Sequence, residues 1–124
     1  MKQRNVRDSL QKRFPQCVVP WLTDTEYDIP TPDQLRAAVA DCVEVDGRFE
    51  AERNDCDDFA LHLHSAVKKW VRDTTTGYQW PFGEVFVPGH NMNACLTTDG
   101  WYMVEPQTGA VWKADSDTVI MFKG

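Results

Sequence analysis

The chain is short of positive charge. It has 13 Lys+Arg against 19 Asp+Glu in 124 residues, a formal net charge of −6. A general nucleic-acid-binding role is disfavoured on that balance, because phosphate recognition needs a basic face. Long hydrophobic runs are missing too. The longest, Cys17 to Leu22, is interrupted by Pro20 and falls far short of the roughly 20 apolar residues of a membrane span. The basic opening segment with Lys2, Arg4, Arg7, Lys12 and Arg13 is not followed by an apolar stretch and small-residue cleavage site. A secretory signal is therefore not expected, and the segment reads as a solvated helix face or frayed arm. The expected partners include neither nucleic acid nor membrane, and the expected location is cytoplasmic, where thiols stay reduced.

There is no Cys-x-x-Cys pair, no internal repeat and no low-complexity tract. The four cysteines, at 17, 42, 56 and 95, permit three disulfide pairings, and their spacing to histidine matches no structural zinc site, so neither metal nor other cofactor is expected. What remains is enough for one globular domain: 42% hydrophobic and 26% charged residues over a length that buries roughly two-thirds of the unfolded surface.

Thr31-Pro32-Asp33-Gln34 combines a cap, a first-turn proline and an N3 glutamine just before Leu35, Ala38, Val39, Cys42 and Val43 at helical spacing. A helix is predicted there. A second is predicted from Asn54-Asp55 to about Arg72, with acidic Asp57 and Asp58 in its positive first turn and an apolar stripe of Cys56, Phe59, Ala60, Leu63, Val67 and Trp70. After Thr74-Thr75-Thr76-Gly77 the period becomes alternating. Strands are expected at 85–87, 90–96, 101–105, 110–113 and 118–122, all antiparallel. The organisation expected is a single domain over 1–124, with an arm and loop over 1–30, helices over 31–72 and strands over 78–124. Helices followed by a meandering sheet is the α+β arrangement.

Cys56 sits at a helix start, where the macrodipole and free backbone N–H groups favour thiolate over thiol, while Asp55, Asp57 and Asp58 oppose this. A nucleophile there needs an imidazole. His62 and His64 lie on the same helix, roughly 9 and 12 Å along its axis and projecting about 100° away, so neither reaches the sulfur. His90 opens a strand on which it shares a face with Met92, Ala94 and Leu96, a face expected to pack on the Cys56 helix. Cys95 points to the other face, and Asn91 and Asn93 are expected to be solvated. Glu105 ends the next strand. If the connection is a four-residue loop, Leu96 faces Trp101, Met92 faces Glu105 and His90 faces Gln107, which leaves Glu105 diagonal to His90 at about 7 to 8 Å. A two-residue Asp99-Gly100 turn pairs Glu105 with Ala94 instead and leaves it about 13 Å from His90. Both registers keep His90 and Glu105 on one face.

The run Asn54-Asp55-Cys56-Asp57-Asp58-Phe59-Ala60 resembles the Gly-Asp-Cys-Glu-Asp-Tyr/Phe-Ala signature of bacterial transglutaminase-like cysteine peptidases, and Gly89-His90 and Val104-Glu105 resemble that family's Gly-His and Leu-Asp elements. The resemblance spans roughly residues 30 to 113, with Asn54 in place of glycine and Glu105 in place of aspartate. It implies a papain-like, transglutaminase-like fold and a hydrolase or acyl transferase acting on an amide or thioester of a protein or peptide substrate. Cys56 is then the nucleophile, His90 the base and Glu105 the orienting acid. Gln107 and Asp55 are candidates for orienting or oxyanion roles, the backbone N–H of Cys56 helps hold the oxyanion, and Trp80 and Trp101 are candidates for a substrate groove. The alternative is a binding or inhibitor protein of the same fold without turnover, engaging a basic partner through its acidic surface. Oligomeric state does not follow from the sequence.

Overall fold

The computed structural model describes residues 1–43, 55–115, 119 and 121–124, with 19–21 as backbone alone. The elements run α1 (Gln3–Arg13), β1 (Val18–Trp21), α2 (Pro32–Cys42), α3 (Cys56–Thr74), β2 (Phe82–Val87), β3 (His90–Thr97), β4 (Gly100–Val104), β5 (Val111–Lys113) and β6 (Met121–Lys123). Asn54 and two positions of the expected 118–122 strand lie outside the described residues.

The two predicted helices form for the expected reasons. Thr31 Oγ1 accepts from the Gln34 backbone N–H at 3.1 Å, and Gln34 Oε1 accepts from the Thr31 N–H at 2.9 Å, closing a capping box at the start of α2. In α3 the Asp58 carboxylate reaches back to the Asp55 N–H at 3.1 Å, so Asp58 serves as a cap and Asp55 as the residue capped. The stripe Phe59, Ala60, Leu63, Val67 and Val71 is buried.

The N-terminal segment departs from expectation. Residues 3–13 are a helix whose Val6 and Leu10 are fully buried, and residues 18–21 are a strand. The apolar spacing Val6, Leu10, Phe14 is helical, but its charged neighbours dominate the reading of the segment. Pro20 hides β1 in the same way, because proline is excluded from central strands and accepted at edges. β1 is indeed an edge.

One six-stranded sheet runs β1-β6-β2-β3-β4-β5. It is not wholly antiparallel as expected: β1 pairs with β6 in parallel, through Val18↔Met121 and Trp21↔Lys123. Helices cover both faces. Val6 and Leu10 of α1 and Phe14 just after it pack with Val85, Met92, Ala94, Leu96, Trp101, Met103 and Phe122. Leu35, Ala38 and Val39 of α2 and Leu63, Val67 and Val71 of α3 pack with Phe82, Cys95, Tyr102 and Val104 on the other face. The strand face bearing Met92, Ala94 and Leu96 therefore packs under α1, and the Cys56 helix covers the opposite parity. Asn93, expected to be solvated, is fully buried there and donates to the Ala60 carbonyl at 3.0 Å; Asn91 is half-buried.

Candidate functional site

The β3–β4 pairing resolves the two registers left open by the sequence. Leu96 faces Trp101 and Ala94 faces Met103, the register that places Glu105 diagonal to His90; pairing also extends to Thr97↔Gly100, so the loop itself tightens to Thr98 and Asp99. Gly100 takes a φ of +96°, a conformation that glycine adopts without the Cβ penalty of other residues. Glu105 Oε2 lies 2.7 Å from His90 Nε2 and accepts its N–H, and Glu105 Oε1 accepts from the Gln107 backbone N–H at 3.2 Å. Both side chains are partly exposed, at 32% and 21%. His90, Glu105 and Gln107 thus form one ordered polar corner.

Cys56 occupies the first turn of α3 and is half-buried. Among the described contacts no hydrogen bond joins its sulfur to His90. All four thiols are free. Burial pushes the Cys17 thiol up to about 11, and raises Cys42 and Cys95 as well. Trp80 lies in the core, 5% exposed, with its ring 5.7 Å from that of Trp70. Among the described residues no cluster of three metal-ligating side chains occurs.

A second polar group escapes sequence reasoning. His64 Nδ1 lies 2.7 Å from Glu84 Oε2, with side-chain exposures of 14% and 10%, and Lys123 Nζ is 3.9 Å from Glu84 Oε1. Glu84 faces Asn93 across the β2–β3 ladder. His64 Nε2 and Asn93 Oδ1 are buried with no partner among the described residues. An acid inside an otherwise apolar strand, Phe82 to Val87, is the signal that marks this pair in the sequence.

A cleft of about 410 Å³ lies between the end of α1 and the β4–β5 region and is lined by Ser9, Lys12, Arg13, Asp99, Trp101 and Lys113, among others. Trp101 is 4% exposed and contributes an indole edge, fixed by its N–H donating to Ser9 Oγ at 3.1 Å. Asp99 accepts from the Tyr102 hydroxyl at 2.7 Å and from Lys113 Nζ at 3.4 Å, and these two donors hold its carboxyl below its ordinary value. Arg13 donates to the Asp115 carbonyl. Lys12 and Arg13, read from sequence as a solvated basic face, thus line a cleft; of the groove candidates, Trp101 reaches it and Trp80 does not. A smaller cleft of about 170 Å³ lies between α2, α3 and Pro106 and is lined mainly by Cys42, Phe59, His62, Leu63 and Ala66.

Comparison with known proteins gives this geometry its context. Residues 5–122 match the family described as ricin-type beta-trefoil lectin C-terminal domain. No curated protein matches. Two solved structures share the fold. One, titled "PSL1a-E64 complex", is 23% identical with a TM-score of 0.81, over 98% of this chain and 50% of that one. The other is Polyporus squamosus lectin bound to a human-type influenza-binding epitope, Neu5Aca2-6Galb1-4GlcNAc, 24% identical with a TM-score of 0.79, over 98% of this chain and 48% of that one. The chain thus spans about half the length of these structures.

These findings overturn the transglutaminase-like reading drawn from the Cys56 motif. The expected papain-like fold gives way to the one shared with the lectin chains. The hydrolase or acyl-transferase activity, its amide- or thioester-bearing protein substrate and the acidic-inhibitor alternative are withdrawn with it. The motif misled because its residues also satisfy a purely local need: acids after a cap, followed by an apolar stripe, start any amphipathic helix. With 118 residues between its matched ends, the chain belongs to the ricin-type beta-trefoil lectin C-terminal domain family.

Proposed function

We propose that this chain serves carbohydrate recognition as a domain of a lectin. The observation that carries the reading is the family match across residues 5–122. The fold shared with a glycan-bound lectin supports it. So does the 410 Å³ cleft, whose size lies in the range of small-ligand sites and whose lining has the composition a sugar needs. A sugar presents a ring of hydroxyls and an apolar C–H face. Its hydroxyls are matched by donors and acceptors, here the Ser9 hydroxyl as either, Asp99 as acceptor and Lys113 as donor, and its C–H face by an apolar edge, here that of Trp101.

The test is a titration of the chain with Neu5Aca2-6Galb1-4GlcNAc and with a panel of neutral and acidic glycans, followed by calorimetry and by the NMR signal of the Trp101 indole N–H. Saturable binding of at least one glycan, with the Trp101 signal shifting in step, is expected. Absence of saturable binding across the panel overturns the reading.

A further inference from the structure

We infer that a water molecule is bound in the seam between α3 and the β2–β3 ladder, donating one hydrogen to His64 Nε2 and the other to Asn93 Oδ1, and that it pins the helix to the sheet. The inference goes beyond the carbohydrate reading and does not depend on it.

Its basis is a mismatch of donors and acceptors in one buried cluster. Asn93 is 0% exposed, and its amide nitrogen donates to the Ala60 carbonyl at 3.0 Å. That contact fixes which end of the amide faces the helix backbone, because a carbonyl can only accept. The other end, Oδ1, is left as an acceptor without a donor among the described residues. His64 Nδ1 lies 2.7 Å from Glu84 Oε2. A carboxylate offers lone pairs alone, so the ring proton belongs on Nδ1, and Nε2 of the neutral ring is a second acceptor. It too is buried without a described donor.

Both orphans belong to one place. Glu84 and Asn93 are opposite each other on the ladder, with Cβ atoms about 5 Å apart on the face that α3 covers. Ala60, which receives Asn93, lies one helical turn before His64, which receives Glu84. The neighbouring donors are engaged elsewhere: Lys123 Nζ stands 3.9 Å from Glu84 Oε1, and Lys68, one turn further along α3, is 3.7 Å from Asp24. The Phe82 ring, with its centre 6.3 Å from that of His64, adds hydrocarbon and no hydrogen-bonding group. Two acceptors cannot satisfy each other, and leaving both buried and unmatched is costly. Water is the smallest molecule with two hydrogens to give, and buried polar seams hold it routinely. Bound here, it closes a circuit from His64 through Glu84 to the ladder and back through Asn93 to Ala60, tying α3 to two strands at once.

The experiment uses the wild-type chain at pH 8, above the ordinary histidine range. A high-resolution crystal structure is expected to show one water within hydrogen-bond distance of both atoms, and nitrogen-15 NMR of the His64 ring to show its proton on Nδ1. The pinning is tested by a double-mutant cycle in urea with His64→Phe, Asn93→Leu and the pair. Each substitution is expected to change the unfolding constant at least about fivefold less in the presence of the other than alone. If the variants do not fold, the wild-type structure and ring spectrum still decide. Absence of a water at that position, or a protein side chain in its place, overturns the site. A ring proton on Nε2 overturns the donor assignment, and so does a doubly protonated ring, whose Nε2–H could reach Asn93 Oδ1 with no water between. Additive effects in the cycle overturn the pinning. No arm of the test involves a glycan, so its outcome and that of the glycan titration are separate.

Discussion

At the scale of single residues, burial sorts the four thiols into unequal reagents. Buried Cys17 and Cys95 and half-buried Cys42 are all pushed toward the protonated form by desolvation, whereas Cys56, half-buried as well, stands at a helix N-terminus. Iodoacetamide at pH 8 is therefore expected to label Cys56 at least about tenfold faster than the other three, as read by peptide mass spectrometry. Equal rates contradict the picture. The same measurement on His90→Ala separates the effect of the helix end from that of the imidazole. A raised thiol value also has a thermodynamic sign. Cys17 shifts from 9.0 to about 11 on folding, so between those values the folded chain holds a proton that the unfolded chain has lost, and stability falls as pH rises through that window. Denaturant midpoints should drop from pH 8 to pH 11, and Cys17→Ala should flatten part of that slope. The sequence held the polar corner in legible form, since alternation and one hairpin register suffice to bring Glu105 to His90. It did not hold the His64–Glu84 pair, which joins residues twenty apart on a helix and a strand whose packing no local pattern specifies.

At the scale of elements, α1 and α2 show two ways of earning a helix. α2 announces itself through its capping box, and Thr31→Ala is expected to cost about 1 kcal/mol in urea unfolding. α1 has no side-chain cap, and its place depends on tertiary burial of Val6 and Leu10, both 0% exposed. Leu10→Ala is expected to cost about 2–5 kcal/mol, several times the loss at Thr31. Helices with local start signals were thus readable and the one held by distant contacts was not; the same holds for β1, whose strand neighbour among the described residues is β6. Where β2 meets β6, a Cβ on Gly83 would stand 2.4 Å from the Lys123 carbonyl oxygen. That atom is backbone and cannot rotate aside, so Gly83→Ala is expected to destabilise by about 1–3 kcal/mol, measured as a lower melting temperature.

At the scale of the whole molecule, one sheet separates two apolar cores and serves as a wall of each. Neither core has a boundary of its own, because Ala94 and Cys95, adjacent in β3, belong to different ones. Leu10→Ala in the first and Val67→Ala in the second should therefore each lower one common transition, with fluorescence and far-UV circular dichroism melting together. Two separated transitions would show that the cores unfold independently. The global architecture was the least legible level. Periodicity gives the faces of a strand but not which helix lies on which face, and a short motif at a helix start pointed to a family whose fold this chain does not share.

The parallel contact between β1 and β6 joins segments roughly a hundred residues apart in sequence, at one edge of the sheet. Its consequence is temporal. On a ribosome, residues 18–21 cannot form this pairing until residues 121–123 have been synthesised, so this edge of the sheet closes after the strands β2 to β5 are already available, as the clasp of the fold.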